Sequence, residues 1–445
     1  MKTIDSIRRL NARLGMSVSW LATGGKWAIE FPKETQRNLK YFFFDGVSAS
    51  ASDSIVTTYI TLYLLALGAS SASIGLMASL ASLSAVFLLI PGAVLVERTG
   101  KRKEIVLISS GIIRRFALLL LAFIPLILSG NSAVFAVIAL KVVMDGMGNL
   151  GIPAWTSMIA DIVPLSRRGR FFGNRNMAMG IAAMITTYLV GVLITKIGPP
   201  EGYQWALGLS FFFGIISTSF FFRITESNSV DATKSQIAKS SYTLTALIST
   251  LKTDQNFMIY CGYAALWTFS INIAAPFFSV YLVQNLNATA AIVGVTALIS
   301  QMAALPAQKL FGGLADKWGP RKLMMVTGFI IPILPFLWSL TREYWHVYPI
   351  NAIGGFIWAG YGIGSFNFLL SISPSEQRAR YTALYQIAVA GSAAIGAALG
   401  GVVSNFTSLM TVFILSGIGR IIAAAIFFKF VHPSSEEELF FRYAR

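Results

Sequence analysis

Charge and sulfur are what this chain has little of. Only 12% of its 445 residues are charged, with a single cysteine, Cys261, and two histidines, His346 and His432. One thiol excludes an internal disulfide and any cysteine-rich metal site. Two histidines, both at predicted helix ends, are too few for a zinc or haem centre and badly placed for a catalytic base. No Gly-x-x-x-x-Gly-Lys-Ser/Thr run occurs, which removes direct ATP hydrolysis. What is present is apolar: 55% hydrophobic residues and a mean hydropathy of +0.67, well outside the range of soluble domains. The long unbroken runs favour membrane-spanning helices over a barrel's weak alternation.

The hydropathy pattern predicts an all-α integral membrane fold of twelve spans, near 42–66, 73–95, 105–128, 132–160, 172–195, 204–223, 257–284, 292–313, 323–341, 346–370, 382–405 and 408–430. A polar stretch divides them six and six. The predicted organisation is therefore a basic surface segment over 1–40, a six-helix bundle over 41–223, a linker over 224–256, a second bundle over 257–430 and a tail over 431–445. The basic first segment has no uninterrupted apolar core or small-residue cleavage site, so it does not read as a cleaved signal peptide.

The net charge of +16 would suit nucleic acid if it were clustered at random, but it is sided. With the N-terminus inside, the tails, the linker and the even-numbered loops hold Arg98, Lys101, Arg102, Lys103, Arg167, Arg168, Arg170, Lys317, Arg321, Lys322, Arg378 and Arg380. The opposite side shows only Lys196 and Arg342. The positive-inside rule accounts for this without nucleic acid, and it predicts a multi-pass protein of the cell membrane with both termini cytoplasmic.

The two halves repeat each other where charge is densest. Pro164-Leu-Ser-Arg-Arg168-Gly-Arg170 is echoed by Pro374-Ser-Glu-Gln-Arg378-Ala-Arg380, and Glu97-Arg98-Thr-Gly100-Lys101-Arg102 by Asp316-Lys-Trp-Gly319-Pro-Arg321. Paired six-helix halves are a signature of internally repeated transporters. The sequence resembles the major facilitator superfamily over nearly all of 41–430. That family's loop signature, Gly-x-x-x-Asp-Arg-x-Gly-Arg-Lys/Arg, is matched from Gly312 to Lys322, while in the first copy Ala93 and Glu97 replace its glycine and aspartate. A weaker match follows Lys141, where Asp145-Gly-Met-Gly148 stands near the family's basic residue and Gln-Gly-x-Gly run. The proline-bearing glycine pattern of drug/proton antiporters is missing from 172–195. The resemblance implies a cytoplasmic gate in which Glu97 pairs with Arg168 and Arg170, and Asp316 with Arg378 and Arg380, each acid facing a helix of the other half.

Ionisable groups at membrane depth are costly and so mark function. Asp45, Asp53, Thr57 and Thr61 share one helical face; Arg114 and Arg115 lie midway along the third span, and Lys141 and Asp145 are one turn apart in the fourth. These acids and bases are the candidates for proton coupling and a central cavity. Asp53, without a basic neighbour along its own helix, is the first choice. Lys141 and Asp145 read equally well as a structural pair, and the arginines as structural partners of an acid in the same half. The second half offers uncharged groups as a substrate lining: Asn272, Gln301, Asn351 and Asn367 with Trp267, Trp358 and Tyr361. The glycines of helix eleven, Gly391, Gly396, Gly400 and Gly401, read as packing positions.

The expectation is a monomeric secondary transporter of a small organic solute, working in the lipid bilayer by alternating access, with an ion gradient, protons first, in place of a cofactor. A non-transporting receptor or sensor on the same fold and a membrane-embedded enzyme are the competing readings.

Overall fold

The computed structural model describes residues 22, 25–226, 254–374 and 377–433. Among them are twelve long helical stretches and no strand: α1 Lys33–Ala66, α2 Ser71–Thr99, α3 Arg102–Ile127, α4 Gly130–Ile162, α5 Arg168–Ile197, α6 Glu201–Phe222, α7 Gln255–Gln284, α8 Ala290–Trp318, α9 Pro320–Ser339, α10 Val347–Ile372, α11 Arg378–Phe406 and α12 Leu409–Phe430. Eleven are long and apolar enough to cross a bilayer. The exception is α1, whose serines, threonines and aspartates dilute its apolar content.

Each helix found was expected, but α1 begins earlier and two helices are interrupted. Residues 33–40, expected as part of a surface segment, are the first turns of α1. Asn38 and Leu39 are buried there, and Trp27 and Ala28 before the helix pack into the same cluster as Phe42 and Phe171. Such a one-sided turn buries a stripe without raising the mean hydropathy, so a hydropathy reading passes over it. α7 and α9 are each interrupted near a proline. In α7 a short 3-10 turn, Ala275–Phe277, separates Gln255–Asn272 from Phe278–Gln284, and in α9 the break follows Ile330 at Pro332. A proline supplies no N–H and clashes with the preceding turn.

Packing groups the chain into two compact units, Met1–Ile60 with Leu88–Ile127 and Val143–Val230, and Thr61–Phe87 with Leu128–Val142 and Asp231–Arg445. The division runs inside α1, α2 and α4 as well as at the linker. One reason is visible within the second unit, where Gly75 of α2 lies backbone to backbone against Gly401 of α11. Gly396 and Gly400 meet the carbonyls of Phe269 and Ile273 in α7, as small residues at a helix crossing should. Gly391 has nothing near it.

The internal repeat is written in hydrogen bonds as well as in sequence. In the first unit Asn38 of α1 exchanges two bonds with the backbone of Thr225 just after α6, both 3.0 Å. In the second, Asn256 of α7 does the same with His432 just after α12, at 3.0 and 2.9 Å. At the same spacing further along α1 and α7, the Ser52 carbonyl accepts from Ser210 Oγ and the Ser270 carbonyl from Ser416 Oγ. The serine bonds are buried between helices, and the asparagine bonds tie the helix ends. Gly100 and Gly319 end α2 and α8 with positive φ, 65° and 78°, a conformation that any Cβ would strain.

Candidate functional site

Five helices of the first unit surround a cavity of about 270 Å³, and five charged side chains line it: Asp45, Asp53, Arg114, Arg115 and Arg175. Asp53 Oδ1 lies 3.0 Å from Arg114 Nη2 and 3.5 Å from Arg115 Nη1. Two consecutive residues of an ordinary helix point about 100° apart, and both reach one carboxylate through their long side chains; a π-helical stretch, Leu107–Ile113, stands directly before them. Arg115 also donates to Ser52 Oγ at 3.1 Å, which ties it to the Ser52–Ser210 junction of α1 and α6. Its methylenes fill the space a side chain at Gly214 would take.

The second acid is held differently. Asp45 accepts a 2.6 Å bond from Ser217 of α6 and lies 3.9 Å from Arg175 of α5. Arg175 is buried, donates from Nε to the Phe42 carbonyl at 3.1 Å, and stacks its guanidinium over the Phe42 ring at 4.0 Å and over Trp155 at 5.9 Å. A buried cation is tolerable only with such a set of partners. Gly46 is what admits it, since a Cβ there would overlap the guanidinium.

Asp53 has no basic neighbour along its own helix, and the geometry supplies two from another. Its partners come from α3, sixty residues on, where no reading along α1 could find them. Arg114 and Arg115 are indeed partners of an acid in the same half. Lys141 and Asp145 lie on α4 but do not line the cavity.

The gate expected at the helix ends is not made. Among the described residues neither Glu97 nor the exposed Asp316 forms an ion pair. Arg168 Nε donates instead to the Val163 carbonyl at 3.1 Å, Arg167 approaches Glu30, and Arg98 is exposed. Arg380 begins α11, and nothing is described of the Arg378 side chain. Arg170 packs beside Gly25, and Gly312 has open space beside it. A loop arginine that forms a network among the described residues is Arg102, read from sequence as charge of the loop. It is buried and bonded to Asp161 at 2.6 Å, Glu226 at 2.8 Å and Ser157 Oγ at 3.2 Å. Its repeat partner Arg321 caps the end of α12, donating to the carbonyls of Val431 and Phe428.

The uncharged candidates of the second unit divide. Trp267, Trp358 and Tyr361 form one aromatic cluster with Tyr263, Trp267 stacking on Tyr361 at 5.0 Å and the two tyrosine hydroxyls bonded at 2.8 Å. Trp267 and Tyr361 are buried in it. Asn272 and Asn351 donate to carbonyls one turn back on their own helices, while Gln301 and Asn367 are exposed. Arg175, Arg102, Asp161, Ser52, Ser210 and Ser217 were missed. For Arg175 a signal was present, a cation inside the predicted fifth span, hidden by the arginine run that precedes it.

The chain matches the family model described as Major Facilitator Superfamily over residues 42–273 and again over 260–442, and it belongs to that family of membrane transporters. It is a multi-pass membrane protein. Comparison with curated proteins gives no match. Solved structures share its fold: a mutant of the nucleoside transporter NupG, with 17% identity, 89% of this chain and 100% of that one covered and a TM-score of 0.68; the inward-open xylose transporter XylE from E. coli, with 15% identity, 94% and 97% covered and a TM-score of 0.64; and a D-xylose-proton symporter, with 15%, 89%, 96% and 0.62.

Proposed function

We propose that this protein is a secondary active transporter that moves a small organic solute across the cell membrane by alternating access, as a monomer with both termini in the cytoplasm, and that it is driven by protons through Asp53. The observation that carries the reading is the Asp53–Arg114 ion pair at 3.0 Å inside a cavity at membrane depth. A carboxylate kept there at high cost can exchange its arginine partners for a proton taken from water on one side and release that proton on the other. Glu97 and Asp316, without ion pairs in this conformation, are left to engage the loop arginines in the alternate one. The fold neighbours described as transporting a nucleoside, xylose, and D-xylose with a proton support a small organic solute and a proton gradient.

The test begins with a thermal-stability screen of the purified protein against metabolites, since a ligand at a hundredfold its Kd stabilises the native state by about 2.7 kcal/mol. The solute so found is then offered to proteoliposomes under an imposed pH difference. Accumulation that a protonophore abolishes is the expected result. A solute that binds but never enters the lumen would favour a receptor, and one converted to product an enzyme.

A further inference from the structure

We infer that the cavity of the first unit takes an organic anion, its carboxylate or phosphate oxygens held by Arg114 and Arg115. This rests on the transport reading and names its substrate class. Three guanidinium groups face two carboxylates in the cavity, so it holds one positive charge in excess. The Asp45–Arg175 pair is internally matched, with Ser217, the Phe42 carbonyl and the Phe42 ring completing it. The excess therefore belongs to Arg114 and Arg115, which share a single oxygen of Asp53.

Their donors are also in surplus. A guanidinium carries five N–H groups in a fixed fork. Arg114 uses one on Asp53, and Arg115 two short reaches, to Asp53 and Ser52. The Nε atoms of both arginines are buried with no hydrogen-bond partner. An orphaned, charged donor in a buried site is expensive; that of Arg114 lies beside Gly148 on the cavity wall, while that of Arg115 lies against Gly214 with the rest of its side chain lining the cavity. Planar or tetrahedral oxyanions are the ligands whose geometry matches such forks. Neutral sugars and nucleosides offer acceptors but nothing to balance the charge.

The charge count also states how substrate and proton meet. One negative charge on the solute balances the excess outright. A second is balanced when Asp53, displaced from the arginines, takes a proton from the entry side and carries it through, to be released when the anion leaves and the arginines recover their partner.

Matched pairs of probes test this on the purified full chain at constant pH and ionic strength: acetate against acetamide, succinate against succinamide, glucose 6-phosphate against glucose. At least one oxyanion should raise the melting temperature of the parent while its neutral counterpart does not, and the carboxylate and phosphate arms identify which oxyanion is preferred. Arg114→Gln should weaken that effect at least tenfold in ligand concentration. Arg114→Lys, which keeps the charge without the fork, should recover it in part while unfolding near the parent temperature, so loss of binding is separated from loss of fold. Absence of any oxyanion effect, an equal effect of the neutral partner, or full retention in both variants would overturn the assignment. Oxyanion binding of this pattern without uptake into proteoliposomes would leave the anion site and remove transport. Proton-driven accumulation of a neutral probe would do the reverse.

Discussion

Arg175 lies over Phe42 at 4.0 Å, and at the corresponding place in the second half Tyr385 stacks on Tyr260 at 5.6 Å. The motif register that aligns Arg168 with Arg378 and Asn38 with Asn256 carries Arg175 onto Tyr385, Phe42 onto Tyr260 and Asp45 onto Tyr263. One half thus builds its helix junction from an acid, a cation and an aromatic ring, the other from tyrosines alone. The repeat preserves where groups touch while changing their chemistry, and the buried acid and cation are kept in one half of it.

Removing one member of the charged junction should therefore cost more than removing both. Arg175→Met leaves Asp45 buried without its counter-charge and is expected to destabilise the protein by roughly 3–5 kcal/mol. Asp45→Asn with Arg175→Met should recover most of that. Denaturant unfolding in detergent measures both. Equal losses in the single and double variants would show that Asp45 does not depend on Arg175.

The close approach at Gly46 gives a steric counterpart. Gly46→Ala places a methyl where the Arg175 guanidinium lies, and the arginine is pinned by Phe42, Trp155 and Asp45, so it cannot swing aside freely. A loss of about 1–3 kcal/mol is expected. In the Arg175→Met background the same alanine should cost much less. An unchanged cost there would place the clash elsewhere.

For Asp53 the expectation concerns energy coupling. Asp53→Asn should abolish accumulation driven by a pH difference while counterflow exchange of preloaded solute continues, because the amide can still accept from Arg114 but cannot carry a proton. Uptake and exchange in the same proteoliposomes separate the two. Continued uphill uptake would move the coupling role to another acid.

Arg102 should act as a structural tie. Arg102→Gln leaves Asp161 and Glu226 facing each other without the cation between them. Its own side chain is nearly inaccessible but the acids are partly exposed, so screening reduces the cost to about 1–3 kcal/mol. Added salt should change the parent's melting temperature little, since a buried guanidinium is screened weakly. A large salt dependence in the parent would argue that the network is a surface one.

The gate acids call for a conformational readout. Glu97→Gln and Asp316→Asn should leave stability within about 0.5 kcal/mol, as expected at positions without ion pairs in this conformation. They should also raise the population open to the cytoplasm. Cysteine labelling of a cytoplasmic cavity position, after replacement of Cys261, reports this. Equal labelling in mutant and parent would remove the gate role.

Composition by itself determined the class of fold, because a bilayer leaves a helical chain few options: each span must be apolar, about 20 residues long and internally hydrogen-bonded. Twelve helices and the repeated loop motifs could be read from residue order, as these are local properties. What only tertiary structure decided is which charges meet. Asp53 looked solitary because its arginines stand on α3, Arg102 looked like loop charge because its acids close α4 and follow α6, and Arg175 was lost in a run of arginines. Pairing of buried charges depends on distances between helices, as where two neighbouring arginines of α3 meet one carboxylate of α1. Residue order sets which groups are costly to bury; the packing of helices sets which partner makes each one tolerable.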